Sequence, residues 1–249
     1  MPEMKKTKSV LLTTPYILWM VAFTLIPLGV VAYYALTDPA TGEFSLTNIR
    51  ELGMYLPVLG SSIWYSLVSS AICLLLGYPV AYYIAHRSPL AQKFLYMLVM
   101  LPMCMSFLLR TLAWVGLLQD TGIINRLLGL IGIGPITLIR TPGAVILGMV
   151  YNYLPYMILP LYSTIVKIDH RLIEAAQDLG CNGRKVFSKV ILPLSMPGIL
   201  SGVTMVFVPA VSTFYISQKL GGTDTVMIGD VIERQFKQGS NPNLGAALS

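Results

Sequence analysis

At 249 residues, 55% of them hydrophobic and only 11% charged, the chain falls far short of the roughly 25% charge typical of a soluble domain. Water alone is therefore excluded as its solvent. The net charge of +6 arises from Lys and Arg residues distributed between apolar runs. That pattern fits membrane topology signals and disfavours a nucleic-acid partner. Cys73 and Cys104 lie inside apolar runs, and with Cys181 they form no C-x-x-C pair, so a disulfide framework is not expected.

About 20 apolar residues cross a hydrocarbon core, so uncharged stretches define the candidate spans. No charge occurs between Lys8 and Asp38, which places a first helix over residues 15–36. A second runs over 61–85, between Glu51 and Arg87. A third covers 94–119, interrupted by Arg110. A fourth lies within 141–166 and a fifth within 196–218. The fold class expected is an all-α integral membrane bundle with five complete spans and the start of a sixth. Residues 1–14 form an N-terminal tail, and 15–249 form the membrane domain.

Lys5, Lys6 and Lys8 imitate the n-region of a signal peptide, but the apolar run that follows exceeds the 7–15 residues of a signal core and lacks a small-x-small cleavage site. The tail is read as retained and cytoplasmic. With the N-terminus inside, inner segments carry ten Lys and Arg residues (Lys5, Lys6, Lys8, Arg87, Lys93, Lys167, Arg171, Arg184, Lys185, Lys189) and outer loops six. The positive-inside rule favours this arrangement, a multi-pass protein of the plasma (inner) membrane in contact with lipid. Pro27, Gly77, Pro79, Pro102, Pro155 and Pro160 fall inside the spans, where they read as kinks and close-packing points.

The informative segment is the inner loop 167–195, between the fourth and fifth spans. It reads as two short helices joined by a turn. Asp169 caps the first, whose apolar stripe is Leu172, Ile173, Ala176 and Leu179, and Gly180 suits the left-handed position at its end. Asn182 caps the second, which carries Val186, Phe187, Val190 and Ile191; Pro193 discourages its continuation. Two amphipathic helices between spans offer a rigid surface to a partner.

Glu174-Ala175-Ala176, then Gly180, then Val190-x-Leu192-Pro193 resembles the signature loop of permease subunits of ABC importers, with valine where isoleucine is usual. The likeness extends to Leu76-Gly-Tyr-Pro-Val-Ala-Tyr82, Val150-Tyr-Asn-Tyr-Leu-Pro-Tyr156, Leu192-Pro-Leu-Ser-Met-Pro-Gly-Ile199 and Gly221-Gly222, which resemble PotB-type subunits of spermidine/putrescine importers. The resemblance implies the MetI-like fold and a coupling role toward an ATPase for Glu174, Ala175, Ala176, Gly180, Leu192 and Pro193. It also implies three kinds of partner: two copies of an ATP-binding cassette subunit, a second permease, and an extracytoplasmic substrate-binding protein.

No G-x-x-x-x-G-K-[ST] phosphate loop occurs, so ATP is expected to act on a partner subunit and this chain is expected to bind no cofactor of its own. The two histidines, His86 and His170, have no partner at metal-ligand spacing, and no metal site or catalytic triad is expected.

Candidate pathway residues are Arg110, Asn152, Tyr153, Tyr156 and Asp230. Arg110 is the only formally charged residue inside a span; it either lines the pathway or has a structural role, and the second is favoured because it would repel a cation. Tyrosine faces suit an ammonium group, with helix packing as the alternative. Asp230 belongs to a set of outer-loop acids that either attract a cation or are simply solvated. The reading is a permease that moves polyamines by alternating access. Another small-solute importer of the same class is the alternative. A secondary transporter or channel would need more intramembrane ionisable groups than Arg110. Gln238–Ser249 is an uncharged run of twelve residues, and the natural chain is expected to continue into a sixth span.

Overall fold

The computed structural model describes residues 13–38, 41–132, 134–237 and 241–249. Lys5, Lys6, Lys8 and nearly all of the proposed cytoplasmic tail lie outside them. Among the described residues the chain is helical: α1 (Thr13–Ala35), α2 (Thr47–Ala85), α3 (Pro89–Met100), α4 (Phe107–Leu118), α5 (Ile123–Leu130), α6 (Pro142–Ile165), α7 (His170–Asp178), α8 (Gly183–Val211), α9 (Tyr215–Leu220), α10 (Ile228–Lys237) and α11 (Pro242–Leu248). Five helical segments among the described residues are long and apolar enough to cross a membrane: α1, α2, Phe107–Leu130, α6 and α8.

Three spans depart from the sequence expectation; the second begins at Thr47, well before residue 61. The third is not one helix over 94–119. After α3 a 3-10 turn, Leu101–Cys104, carries Pro102 in its first turn, and Met105 and Ser106 are extended before α4 begins. Proline removes a helical donor and clashes with the preceding turn; at Pro102 the chain breaks and restarts in α4. The fifth span is displaced. It begins at Gly183 and ends at Val211, and α9 follows after a break at Ser212–Phe214. Pro193 does not stop the helix. A π turn at Phe187–Ile191 immediately precedes it, with the Leu192 amide donating to the Phe187 carbonyl. The wider turn accommodates a residue that cannot donate. The same device recurs in α1, where the π turn Val21–Leu25 precedes Pro27 and the Ile26 amide donates to the Val21 carbonyl.

The chain divides into two compact units. The first runs to Pro57 and resumes at Val231. In it α11 packs on the second half of α1, and two asparagines satisfy carbonyls at the end of α1. Asn48 Nδ2 donates to the Thr37 carbonyl at 2.9 Å and Asn243 Nδ2 to the same oxygen at 2.7 Å. A helix end leaves such carbonyls without intrahelical donors, which explains why these amides are buried.

The second unit, Val58–Asp230, is organised around α6, whose most apolar stretch is 61% buried. Its neighbour α8 approaches closely because glycine sits at the crossing points. A Cβ added at Gly198 would lie 2.6 Å from Thr164 Oγ1, and one at Gly202 would lie 2.7 Å from Met157 Sδ. On another side α2 packs against α6, with Ser69 Oγ donating to Met149 Sδ at 3.3 Å. Near the start of α6, Gly148 admits Leu220 and Ile216 of α9. Small residues at helix contacts allow the backbone approach that drives packing in lipid, where apolar burial between helices contributes little.

Candidate functional site

The loop between α6 and α8 forms one candidate site. Asp169 Oδ1 accepts the Arg171 amide at 3.0 Å and opens α7; Asn182 Oδ1 accepts the Lys185 amide at 3.0 Å and opens α8. Both caps are those expected from sequence. Between them Gly180 has φ +80°. Its amide donates to the Gln177 carbonyl at 2.8 Å, and the Cys181 amide donates to the Ala176 carbonyl at 3.1 Å. These paired bonds are a Schellman motif, which requires a left-handed residue. Nothing lies within 4 Å of a Cβ at Gly180, so the backbone conformation, not crowding, calls for glycine here.

The apolar stripe expected on α7 divides between two faces. Ile173 and Ala176 are half-buried, whereas Leu172 and Leu179 are exposed, Leu179 by 86%. Spacing of three and four residues aligns Leu172, Ala175 and Leu179 on the outward side. Glu174 is also exposed. The inward side meets the ends of other helices: Ile173 lines a small cavity with Ala85, Ile165, Ile168 and Ile191. At the start of α8, Leu192 is half-buried and Pro193 exposed, while Val186 and Ile191 are buried.

Aromatic contacts fasten this loop to the end of α2. The Phe187 ring meets Tyr78 edge-on at 5.5 Å and Tyr82 at 6.3 Å. The Tyr82 ring stacks on His86 at 4.1 Å. Sequence reading placed Phe187 on an amphipathic helix and missed this attachment; the tyrosines at 78 and 82, one helical turn apart, were the signal available.

The five candidate pathway residues do not form one surface. Asn152 is 1% exposed and its Nδ2 donates to the Gly148 carbonyl, while Oδ1 has no partner among the described residues. Tyr153 is 8% exposed and donates to the Pro209 carbonyl at 3.3 Å, near the end of α8, where carbonyls lack helical donors. Arg110, 5% exposed, does not snorkel to the surface; its Nε and Nη1 have no hydrogen-bond partner among the described residues. Asp230, read from sequence as a loop acid, is 2% exposed and its Oδ2 accepts the Met227 amide at 2.8 Å. It serves as the third residue of α10 reaching back to the capping position, half of a capping box. Its neighbour Ile228 donates to Ser62 Oγ at 2.8 Å. Only Tyr156 keeps a substantial exposed area, and its ring lies 6.4 Å from that of Tyr153. Tyr151, also exposed, meets Trp114 edge-on at 5.4 Å.

Residues 74–248 match the family described as the binding-protein-dependent transport system inner membrane component. The chain belongs to this family: it is a multi-pass inner-membrane transport component with the MetI-like permease fold. It is 40% identical over 240 residues to the spermidine/putrescine transport system permease protein PotB of Haemophilus influenzae, covering 93% of this chain and 84% of that protein. Against PotB of Escherichia coli the identity is 38%, covering 93% and 87%. The inner membrane ABC transporter permease protein YdcU of Escherichia coli is 31% identical, covering 91% and 77%. Among solved structures, a bacterial ABC transporter involved in the import of the acidic polysaccharide alginate superposes with a TM-score of 0.69 at 19% identity, covering 100% of this chain and 92% of that one. This last likeness is one of fold.

Proposed function

We propose that this chain is a permease subunit of an ATP-driven importer that carries polyamines of the spermidine and putrescine class. The family and the identity of 40% to a spermidine/putrescine permease support the substrate class. The observation that carries the mechanism is α7: a helix capped at both ends, fastened to the body on one side, with Leu172, Ala175 and Leu179 facing outward. An apolar helix face left bare outside the bundle suits a groove on another subunit. In this reading residues 167–195 are the coupling loop. Glu174, Ala175, Ala176 and Gly180 form the docking helix, and Leu192 and Pro193 transmit its movement into α8. Two copies of an ATP-binding cassette subunit bind and hydrolyse ATP, since this chain has no phosphate loop. A second permease subunit completes the pathway and an extracytoplasmic protein delivers the substrate. The N-terminus and the coupling loop share the cytoplasmic side. ATP-driven closure of the ATPase pair moves α7 and, through the continuous α8, shifts the spans between inward- and outward-facing states.

The test is uptake of labelled spermidine and putrescine by the reconstituted complex. Uptake that requires both ATP and the binding protein is the expected result. Robust uptake of a sugar or an anion, with neither polyamine carried, overturns the substrate class.

A further inference from the structure

The chain has only two histidines, and the fold brings their rings together. His86 immediately follows α2 and His170 is the first residue of α7; their ring centroids are 5.4 Å apart with planes at 88°. His86 is held in place twice. Its ring stacks on Tyr82 at 4.1 Å, and its Nδ1 lies 2.8 Å from the Tyr82 carbonyl. A carbonyl only accepts, so Nδ1 carries a proton and Nε2 is the ring nitrogen left to face a ligand. This is the arrangement in which a backbone carbonyl orients a metal-ligating imidazole.

Both histidines line one small cavity of ≈ 20 Å³, whose other walls are Ala85, Ile165, Val166, Ile168, Ile173 and Ile191. A cavity of about 10–15 Å³ or more admits a single water-sized occupant. Two imidazoles bound to one tetrahedral ion at about 2.0–2.1 Å place their ring centroids about 5 Å apart.

We propose that His86 and His170 form a two-imidazole site for one divalent transition-metal ion, of the zinc, nickel or copper type that imidazole favours. Among the described residues no group of three or more His, Cys, Asp and Glu is gathered to hold a metal. Both imidazoles are also exposed to solvent, so the ion completes its coordination with water from the open side and exchanges readily. Its position has a mechanical consequence. It ties the end of α2 to the first residue of α7, the helix assigned above to coupling, and so restrains the element that must move during transport. The site itself stands on geometry alone; only the restraint rests on the coupling reading.

The experiment uses the purified complex with its ATPase and second permease. Cu²⁺ is titrated in and followed by electron paramagnetic resonance, and Zn²⁺ is then added during substrate uptake. Wild type is expected to show a copper signal with coupling to two imidazole nitrogens, absent from His86→Gln and from His170→Gln. An unchanged signal in both variants overturns the site. Zn²⁺ is expected to slow uptake at least several-fold in wild type, reversibly with chelator, and not in either variant. Copper binding as expected, with uptake insensitive to zinc, overturns the restraint and leaves the site standing. A check on wild type alone guards against misfolded variants: Zn²⁺ protects both imidazoles from diethylpyrocarbonate, read by mass spectrometry. Equal labelling with and without zinc overturns the proposal.

Discussion

The hydroxyl of Tyr78 in α2 and that of Ser195 in α8 lie 2.9 Å apart in the interior, and Ser195 Oγ also donates to the Leu192 carbonyl at 2.9 Å. Because the carbonyl takes the serine proton, Tyr78 donates to Ser195. The pair joins α2 to α8 one turn beyond Leu192-Pro193, where the proposed movement of the loop 167–195 would enter the bundle.

This direction of donation gives an asymmetric prediction. Tyr78→Phe removes one buried bond and leaves Ser195 still donating, a loss of about 1 kcal/mol. Ser195→Ala leaves the Tyr78 hydroxyl buried without an acceptor, and is expected to cost more, about 1–3 kcal/mol. Thermal unfolding in detergent should show a larger fall in Tm for the serine variant; the reverse order would contradict the assigned donor.

Gly180 separates conformational from steric demand. Valine there forces a β-branched residue into the left-handed region at a cost of about 1–2 kcal/mol. Asparagine tolerates that region and meets no atom within 4 Å of its Cβ. Gly180→Val should insert normally yet lose co-purification of the ATPase subunit and uptake, whereas Gly180→Asn should keep both. Full transport by the valine variant would count against the coupling role.

Helix contact predicts opposite signs for two glycine-to-alanine changes. At Gly198 the new methyl would lie 2.6 Å from Thr164 Oγ1 and 3.0 Å from the Pro160 carbonyl. Overpacking of this kind costs about 1–3 kcal/mol. At Gly116 in α4 nothing lies within 4 Å, and alanine should stabilise the helix by about 0.5–1 kcal/mol. Unfolding temperatures of the two variants, measured side by side, check this.

Orientation is testable by labelling. In a background with Cys104 and Cys181 replaced, cysteines at Asn182 and Asp224 should react with an impermeant reagent from opposite faces, the first from the cytoplasm. Asp224 is preferable to nearby Gly222, where a side chain would meet the Arg140 carbonyl at 2.7 Å. Labelling of both from one face would refute the span assignment.

Asp230 now has a structural role. Asp230→Asn retains an oxygen for the Met227 amide, and its KM for polyamine is expected to stay near wild type. Asp230→Ala loses that acceptor, at about 1 kcal/mol of stability. A large rise in KM for the asparagine variant, with normal Tm, would restore Asp230 to the substrate pathway.

The sequence by itself determined the solvent, the existence of the spans and the grammar of the loop 167–195. These depend on local or summed properties: uncharged length, the order of charged loops, and short-range capping by Asp169, Asn182 and Gly180. The caps were legible because each bonds within its own turn. Sequence did not reveal that α8 runs through Pro193 or that the third span breaks at Met105–Ser106. Proline permits a stop, a kink or a π turn, and tertiary packing selects among them. It was equally silent on Asp230 and Arg110, which a charge count places in a loop and a span but which packing buries. The meeting of His86 with His170 was decided by the fold alone. Neither lies at ligand spacing from the other, and only the docking of α7 against the end of α2 brings two distant imidazoles to one cavity.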